Sequence, residues 1–439
     1  MNALSALDIR ANVEPVSPAD TLHHRHAPLV VGALLFLLLV FITSTVFVQQ
    51  AWTLQSFQIG IYAVVAAYLL IGIRDGAVRA GSVAPLLVFA ARLVYLIPLW
   101  GVVQIVAHTT ASTFETRQEV LRWGALAGVF FLSQIVARSS VARRNFLGAF
   151  LCFATMMALL CLTQLFTSEG RVFWIFSSGY PDVYATFPNH NNYAQFMEIA
   201  LPVALWRFLR EGWRSWWYAL AGGVLYASVI GAASRGGTLL CTAELMAMLV
   251  IGLVRLRDQK TGLPSRSTAA ILIVVPVLAA ACTLAVGGER VWHRFQESDP
   301  FSGRREFLVA AAGMAKDRPL TGYGLGTFPQ VYQRYAVKDF PFYANHAHND
   351  WAEFAAEGGV PFLLLVLIPF AAAIPAAIRH PWGLGLIAVM LHACVDYPFP
   401  RPAVSGWIFA ILGALYMARM QDGIEQRRSE PAKPLNQTS

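Results

Sequence analysis

The sequence predicts an all-α polytopic membrane protein, with about twelve transmembrane helices and one long extramembrane loop that contains short helices. Three observations carry that prediction. Of the 439 residues, 56% are hydrophobic and only 13% are charged, against roughly 25% charged in an ordinary soluble domain. Mean hydropathy is +0.53, more apolar surface than a single water-facing core can hide, which excludes the soluble globular and disordered classes. Apolar runs near the roughly 20 residues that a helix needs to cross a bilayer recur along the chain, and Lys and Arg collect at alternate connections between them.

Residues 1–28 are polar and offer no cleavable signal peptide, so they read as a cytoplasmic tail ahead of a first run that spans and stays. Runs at 29–48, 57–73, 84–107, 121–137, 146–165, 193–209, 216–233, 238–254 and 268–286 give nine spans within 29–286. A loop over 287–358 follows, then runs at 360–378, 382–395 and 404–418 within 359–418, and a cytoplasmic tail over 419–439. Pro369, Pro375 and Pro381 interrupt the last group.

With the N-terminus inside, the inner connections collect Arg74 and Arg79, then Arg138, Arg143 and Arg144, then Arg207, Arg210 and Arg214, then Arg255, Arg257, Lys260 and Arg266. Short outer loops hold only Arg117, Arg171, Arg235 and Arg401. This bias places both termini in the cytoplasm; the long 287–358 loop is exempt from the count. The net charge of +8 is spread between apolar runs with no basic stripe, so no nucleic-acid partner is expected. Cys152, Cys161, Cys241, Cys282 and Cys394 all lie in apolar runs and read as buried small hydrophobes.

The outer face carries the longest connections, 166–192 and 287–358, and with them the polar chemistry. His346 and His348 stand beside Asn349 and Asp350, a pattern that fits a base with an orienting partner, a metal site, or an interfacial loop that meets water. A metal would want three or four ligands, and no second His/Cys cluster completes a set, so none is expected. Arg235, in Ser234-Arg235-Gly236-Gly237, fits a bidentate grip on phosphate or a snorkelling interface marker. Arg304 and Arg305 pose the same choice between phosphate and a solvated face. Asn189 and His190, opening the sixth run, suit a helix cap or hydrogen bonds to a sugar or phosphate. His392 and Asp396, four apart, read as glue on one helical face. Glu198, Glu244 and Arg92 inside spans are expected to face the protein interior. From the residues alone comes an outward-facing His/Arg/Asn site suited to a phosphate-bearing substrate.

At these residues the chain resembles the O-antigen ligase superfamily of bacterial membrane proteins. The resemblance runs through Phe187 to Tyr193, Ser234 to Gly237, Gly303-Arg304 with Met314 and Asp317, and Pro319-Leu320-Thr321-Gly322-Tyr323-Gly324-Leu325-Gly326-Thr327-Phe328. It continues through His346 to Asp350 with Glu353, Glu357 and Gly358, and His392 to Pro398. It implies glycosyl transfer on the periplasmic side of the inner membrane, from an undecaprenyl-diphosphate-linked glycan donor to the lipid A core, without a cofactor. It also implies that His348 is the essential histidine, with His346 next. Polymerases and protein O-oligosaccharyltransferases of the superfamily use other acceptors. Two places depart from the family pattern: Phe307 stands where a larger aromatic is frequent, and Trp351-Ala352-Glu353 where Tyr-Leu-Gln is common. A transporter shares the twelve-span plan, but this chain shows no symmetric halves and gathers its polar residues on one face.

Overall fold

The computed structural model describes residues 18–48, 50–74, 85–177, 182–211, 215–257, 288–296, 303–337 and 344–429, with isolated positions between 277 and 284. Among these residues it holds fourteen α-helices and one antiparallel pair of two-residue strands, β1 (Arg171–Val172) and β2 (Phe176–Ser177). The helices are α1 (Pro18–Ser44), α2 (Trp52–Arg74), α3 (Pro85–Val106), α4 (Thr113–Ala137), α5 (Ser140–Thr167), α6 (His190–Glu211), α7 (Trp216–Gly231) and α8 (Arg235–Arg257). After them come α9 (Glu289–Phe295), α10 (Arg304–Asp317), α11 (Phe328–Val331), α12 (Asp350–Arg379), α13 (Gly385–His392) and α14 (Pro402–Ser429). The chain is an all-α polytopic membrane protein.

Among the described residues, eight helices are long and apolar enough to cross a membrane: α1 to α5, α8, α12 and α14. Two further runs form the shorter apolar helices 216–231 and 381–392. The 193–209 run becomes α6, which carries too many polar groups for lipid and is buried over most of its length, Asn191, Gln195 and Glu198 included. The 268–286 run lies outside the described residues apart from a few positions.

The bundle is organised around aromatic side chains that α4 and α14 bring inward. Trp407 of α14 is fully buried and stacks on Phe150 of α5 with ring centroids 4.3 Å apart. Its indole N–H donates to Thr43 Oγ1 of α1 at 3.0 Å, which satisfies a polar atom that lipid would leave unpaired. Trp123 of α4 packs edge-on against Phe354 and Phe362 and stacks on Phe399. Glu198 and Glu244 are buried as expected, but Arg92 is exposed on α3. Cys161 and Cys241 are buried, whereas Cys152 and Cys394 are exposed. An apolar run does not say which of its faces meets lipid.

The feature that positions the site is a break in α12. Gly359 adopts φ +71°, ψ −179°, and Pro361 follows, so the helical hydrogen-bond ladder is interrupted there. The freed carbonyls find partners elsewhere. Tyr323 N–H donates to Ala356 O at 3.1 Å and Gly324 N–H to Glu357 O at 2.8 Å. Gln104 Nε2 donates to Glu357 O at 2.8 Å, and Trp100 Nε1 to Gly358 O at 2.9 Å. The 319–328 glycine-rich turn therefore clasps the break. Gly322 sits at φ +62°, and a Cβ there would lie 2.2 Å from the Glu357 backbone. Its neighbours Gly326 and Phe328 donate their N–H groups to the Glu357 carboxylate at 2.9 Å each.

Candidate active site

Ahead of α12, the chain from Ala344 to Asn349 runs over a small core made by Phe307, Met314, Phe328, Tyr332 and Ala347. Ala347 is fully buried in it. His346 and His348, on either side of Ala347, both meet Tyr397, and His348 also stacks on Phe307 of this core with ring centroids 6.3 Å apart. His346 stacks on Tyr397 at 4.6 Å between centroids, and His348 approaches the same ring edge-on at 4.7 Å. His348 holds φ +52°, a left-handed conformation that costs a non-glycine residue on the order of 1–3 kcal/mol and clusters at functional sites.

Each histidine has a carboxylate at Nδ1. For His346 it is Glu353, at 2.8 Å, whose second oxygen accepts from Ala347 N–H at 2.6 Å. For His348 it is Asp396, at 3.4 Å. Asp396 is fully buried, takes the Tyr397 N–H at 3.0 Å, and has the Arg304 guanidinium 4.0 Å away. Burial pushes its carboxyl up, but His348 against it and the charges of His392 and Arg304 outweigh burial and bring it down to about 2. The contact is electrostatic, since His348 Nδ1 is buried and makes no hydrogen bond among the described residues, and an ionised Asp396 beside it favours a proton on Nδ1 and leaves Nε2 to accept one.

Around this pair stands a group of cations and amides. Arg304 opens α10 and donates to Val395 O at 2.9 Å. Arg235 opens α8 and donates to Arg294 O at 2.6 Å. The Arg294 guanidinium lies 3.0 Å from His190 Nε2, and His190 opens α6. Asn189, just before it, donates to the Tyr397 hydroxyl at 3.4 Å. Through Asn189 and Tyr397, His190 and Arg294 join the Asp396–Arg304 pair in one cluster.

Within this region, residues 219–367 match the family model described as O-antigen ligase. That stretch, about a third of the chain, is similar to the O-antigen ligase family. The family is glycosyltransferase-like, and its match takes in Arg235, Arg304, Arg305, His346, His348, Asn349 and Asp350, while Asn189, His190, Asp396 and Tyr397 lie outside the matched stretch. No curated protein matches the chain.

The remaining expected residues of the O-antigen ligase region fall as follows. Asn349 caps α12, accepting from Ala352 N–H at 3.0 Å and donating to Cys394 O at 2.8 Å. Asp350 is fully buried and accepts from Phe399 N–H at 3.0 Å. Both tie the histidine segment to the 393–399 turn. Arg305 is exposed, next to Arg304 on α10. The side chains of His392 and Asp396 do not pair as expected, although Asp396 N–H donates to His392 O at 3.0 Å, because each turns to another partner. His392 instead meets Glu198 at 2.7 Å, deep in the bundle. Arg294 and Tyr397 were not legible from sequence as site residues. Tyr397 stood in view, next to Asp396 in the proline-rich 397–402 stretch, but nothing local to it signals the two histidines 49 and 51 positions away.

Proposed function

We propose that the protein is an O-antigen ligase. On this reading it works at the periplasmic face of the bacterial inner membrane, moves a glycan from undecaprenyl diphosphate to the lipid A–core oligosaccharide, and so completes lipopolysaccharide. The observation that carries the proposal is an imidazole backed by a buried carboxylate and set beside Arg304, with Arg294, Arg235 and His190 in the same cluster. A sugar hydroxyl is a poor nucleophile near neutral pH and needs a base within hydrogen-bond reach. His348 Nε2 takes its proton while the hydroxyl oxygen bonds to the anomeric carbon. The bond from that carbon to the diphosphate oxygen breaks, and its electron pair leaves with undecaprenyl diphosphate. A single displacement inverts the anomeric centre. Guanidinium groups fixed in advance meet the charge that grows on the leaving group. Arg304 and Arg235 do this, Arg305, Asn189 and His190 complete the sugar and phosphate surroundings, and Asn349 and Asp350 act from behind by holding the histidine segment in place.

Complementation of a ligase-deficient strain, read by mass spectrometry of its lipopolysaccharide, tests the proposal. The wild-type chain should restore long capped core. His348→Ala, at equal membrane abundance, should lose most of it, since general-base assistance is worth roughly 10²–10⁴-fold, and His346→Ala should be milder. If the wild-type chain restores nothing in the null strain, but deleting its own gene leaves a core capped by one repeat, the protein is a polymerase. Full activity of both alanine variants would overturn the acid–base assignment.

A further inference from the structure

A cavity of about 450 Å³ lies at the end of the bundle opposite the histidines, between the start of α5, the last turns of α6 and the 381–383 turn. α6 opens at His190 in the cation cluster and closes 22 residues later at Glu211, in the wall of this cavity. At about 1.5 Å per residue that is roughly 33 Å, close to the hydrocarbon thickness of a bilayer, about 30 Å. The cavity therefore sits one membrane thickness from the candidate active site. Trp216 and Trp217, which open α7 just beyond it, are half exposed. Exposed tryptophans at a helix end mark the headgroup level of a membrane.

Four arginines, Arg143, Arg144, Arg207 and Arg210, line the cavity against one carboxylate, Glu211. That carboxylate is already divided: one oxygen lies 3.2 Å from Arg207 and 3.4 Å from Arg144, and the other accepts from Ser215 at 3.4 Å. Arginines at a membrane interface ordinarily reach out into water. Arg207 does not: it is 9% exposed, donates to the Arg144 carbonyl and packs on the Tyr218 ring. Arg143 is held by Gln421 Oε1 at 2.8 Å and by Ala137 O at 3.4 Å. The wall thus keeps a surplus of positive charge on groups fixed in advance, and a concave surface of one sign concentrates its field on whatever enters. Planar guanidinium forks match the oxygens of a phosphate. The rest of the wall is apolar and aromatic, with Trp206, the buried Trp382 and Leu147. Val141, 59% exposed, gives the rim an apolar edge. A ligand that fits has an anionic phosphate head and an apolar remainder.

We infer that this cavity binds the phosphate headgroup of an anionic phospholipid from the leaflet on that side. Basic pockets between membrane-spanning helices are the usual setting for such headgroups, and the volume falls within the range of small-ligand sites, about 300 to 1,000 Å³. The bound lipid ties the start of α5 to the end of α6 and offsets the mutual repulsion of the four arginines. The inference stands apart from the glycosyl-transfer reading, because it concerns the other end of the molecule.

The test uses the full chain in detergent micelles, with native mass spectrometry and phosphatidylglycerol, phosphatidylcholine and glycerol 1-phosphate as probes. Wild type should hold phosphatidylglycerol at least about tenfold more tightly than phosphatidylcholine, a comparison that needs no variant. Arg144→Gln and Arg210→Gln, at exposed positions, should each weaken phosphatidylglycerol about fivefold, the effect of one cation near an anionic headgroup, with melting temperature unchanged in lipid-free detergent. Arg138→Gln, exposed at the same end but outside the cavity wall, should leave it nearly unchanged. Glycerol 1-phosphate carries the phosphate without the chains and should bind more weakly than the lipid. Equal affinity for glycerol 1-phosphate would make this a site for a soluble phosphate ester and overturn the lipid assignment. Phosphatidylcholine held as tightly as phosphatidylglycerol, or equal losses in all three arginine variants, would reduce the four arginines to a charged face with no site.

Discussion

Asp396 shows how one side chain sets the chemistry of another. Its folded carboxyl sits near 2, below the roughly 3.9 of a free aspartate, so folding favours the ionised form. The linked stability is fully present above about pH 4 and is lost as pH falls toward 2. The stability difference between wild type and Asp396→Asn should therefore shrink as pH falls below about 4, as read by thermal unfolding in detergent. Turnover should behave differently. The amide keeps the shape but no longer dictates which His348 nitrogen carries the proton, so activity should drop by roughly 10²–10⁴-fold across the neutral range. Near-normal turnover in Asp396→Asn would leave Asp396 as a structural anchor only. At this scale the sequence was readable for the groups and unreadable for their partners. His348 was visible beside Asn349 and Asp350, but the carboxylate that faces it comes from 48 positions further on. Pairing by proximity in sequence fails where a turn folds back over a helix start.

The break in α12 is the element on which the site depends. Composition alone starts the tenth apolar run at 360, but the helix begins at Asp350 and continues through the break to Arg379. Its polar first turns are packed against protein, so hydropathy gives no sign that they are helical. The glycine-rich 319–328 stretch has a similar lesson. Such turns commonly cradle phosphate with backbone N–H groups, yet here the amides of Tyr323, Gly324, Gly326 and Phe328 are spent on α12. Gly322→Ala should cost on the order of 2–4 kcal/mol, from the left-handed φ and the clash with the Glu357 backbone. A lowered melting temperature with loss of transfer is the expected result. An alanine variant with unchanged stability would show that the clasp yields without cost.

At the scale of the whole molecule, the distribution of Lys and Arg makes a prediction about sidedness. A reporter inserted near residue 330 should be active only in a form that works after export, and a cytoplasm-only reporter active there would invert the orientation proposed for the site. The bundle also explains why apolar runs and crossing helices differ in number. A chain that surrounds α6 with other helices can place Asn191, Gln195 and Glu198 at membrane depth, and no hydropathy threshold distinguishes that from a loop. The same arrangement has an electrostatic consequence. His190, Arg235 and Arg304 are each the first residue of a helix, and the His348 segment leads into the start of α12. Four helix N-termini therefore point their partial positive charges, worth roughly half an elementary charge each, toward one region. Part of the positive field there is made by peptide groups. It loses no side-chain entropy when a ligand arrives, no proton can neutralise it, and it survives the replacement of any single arginine.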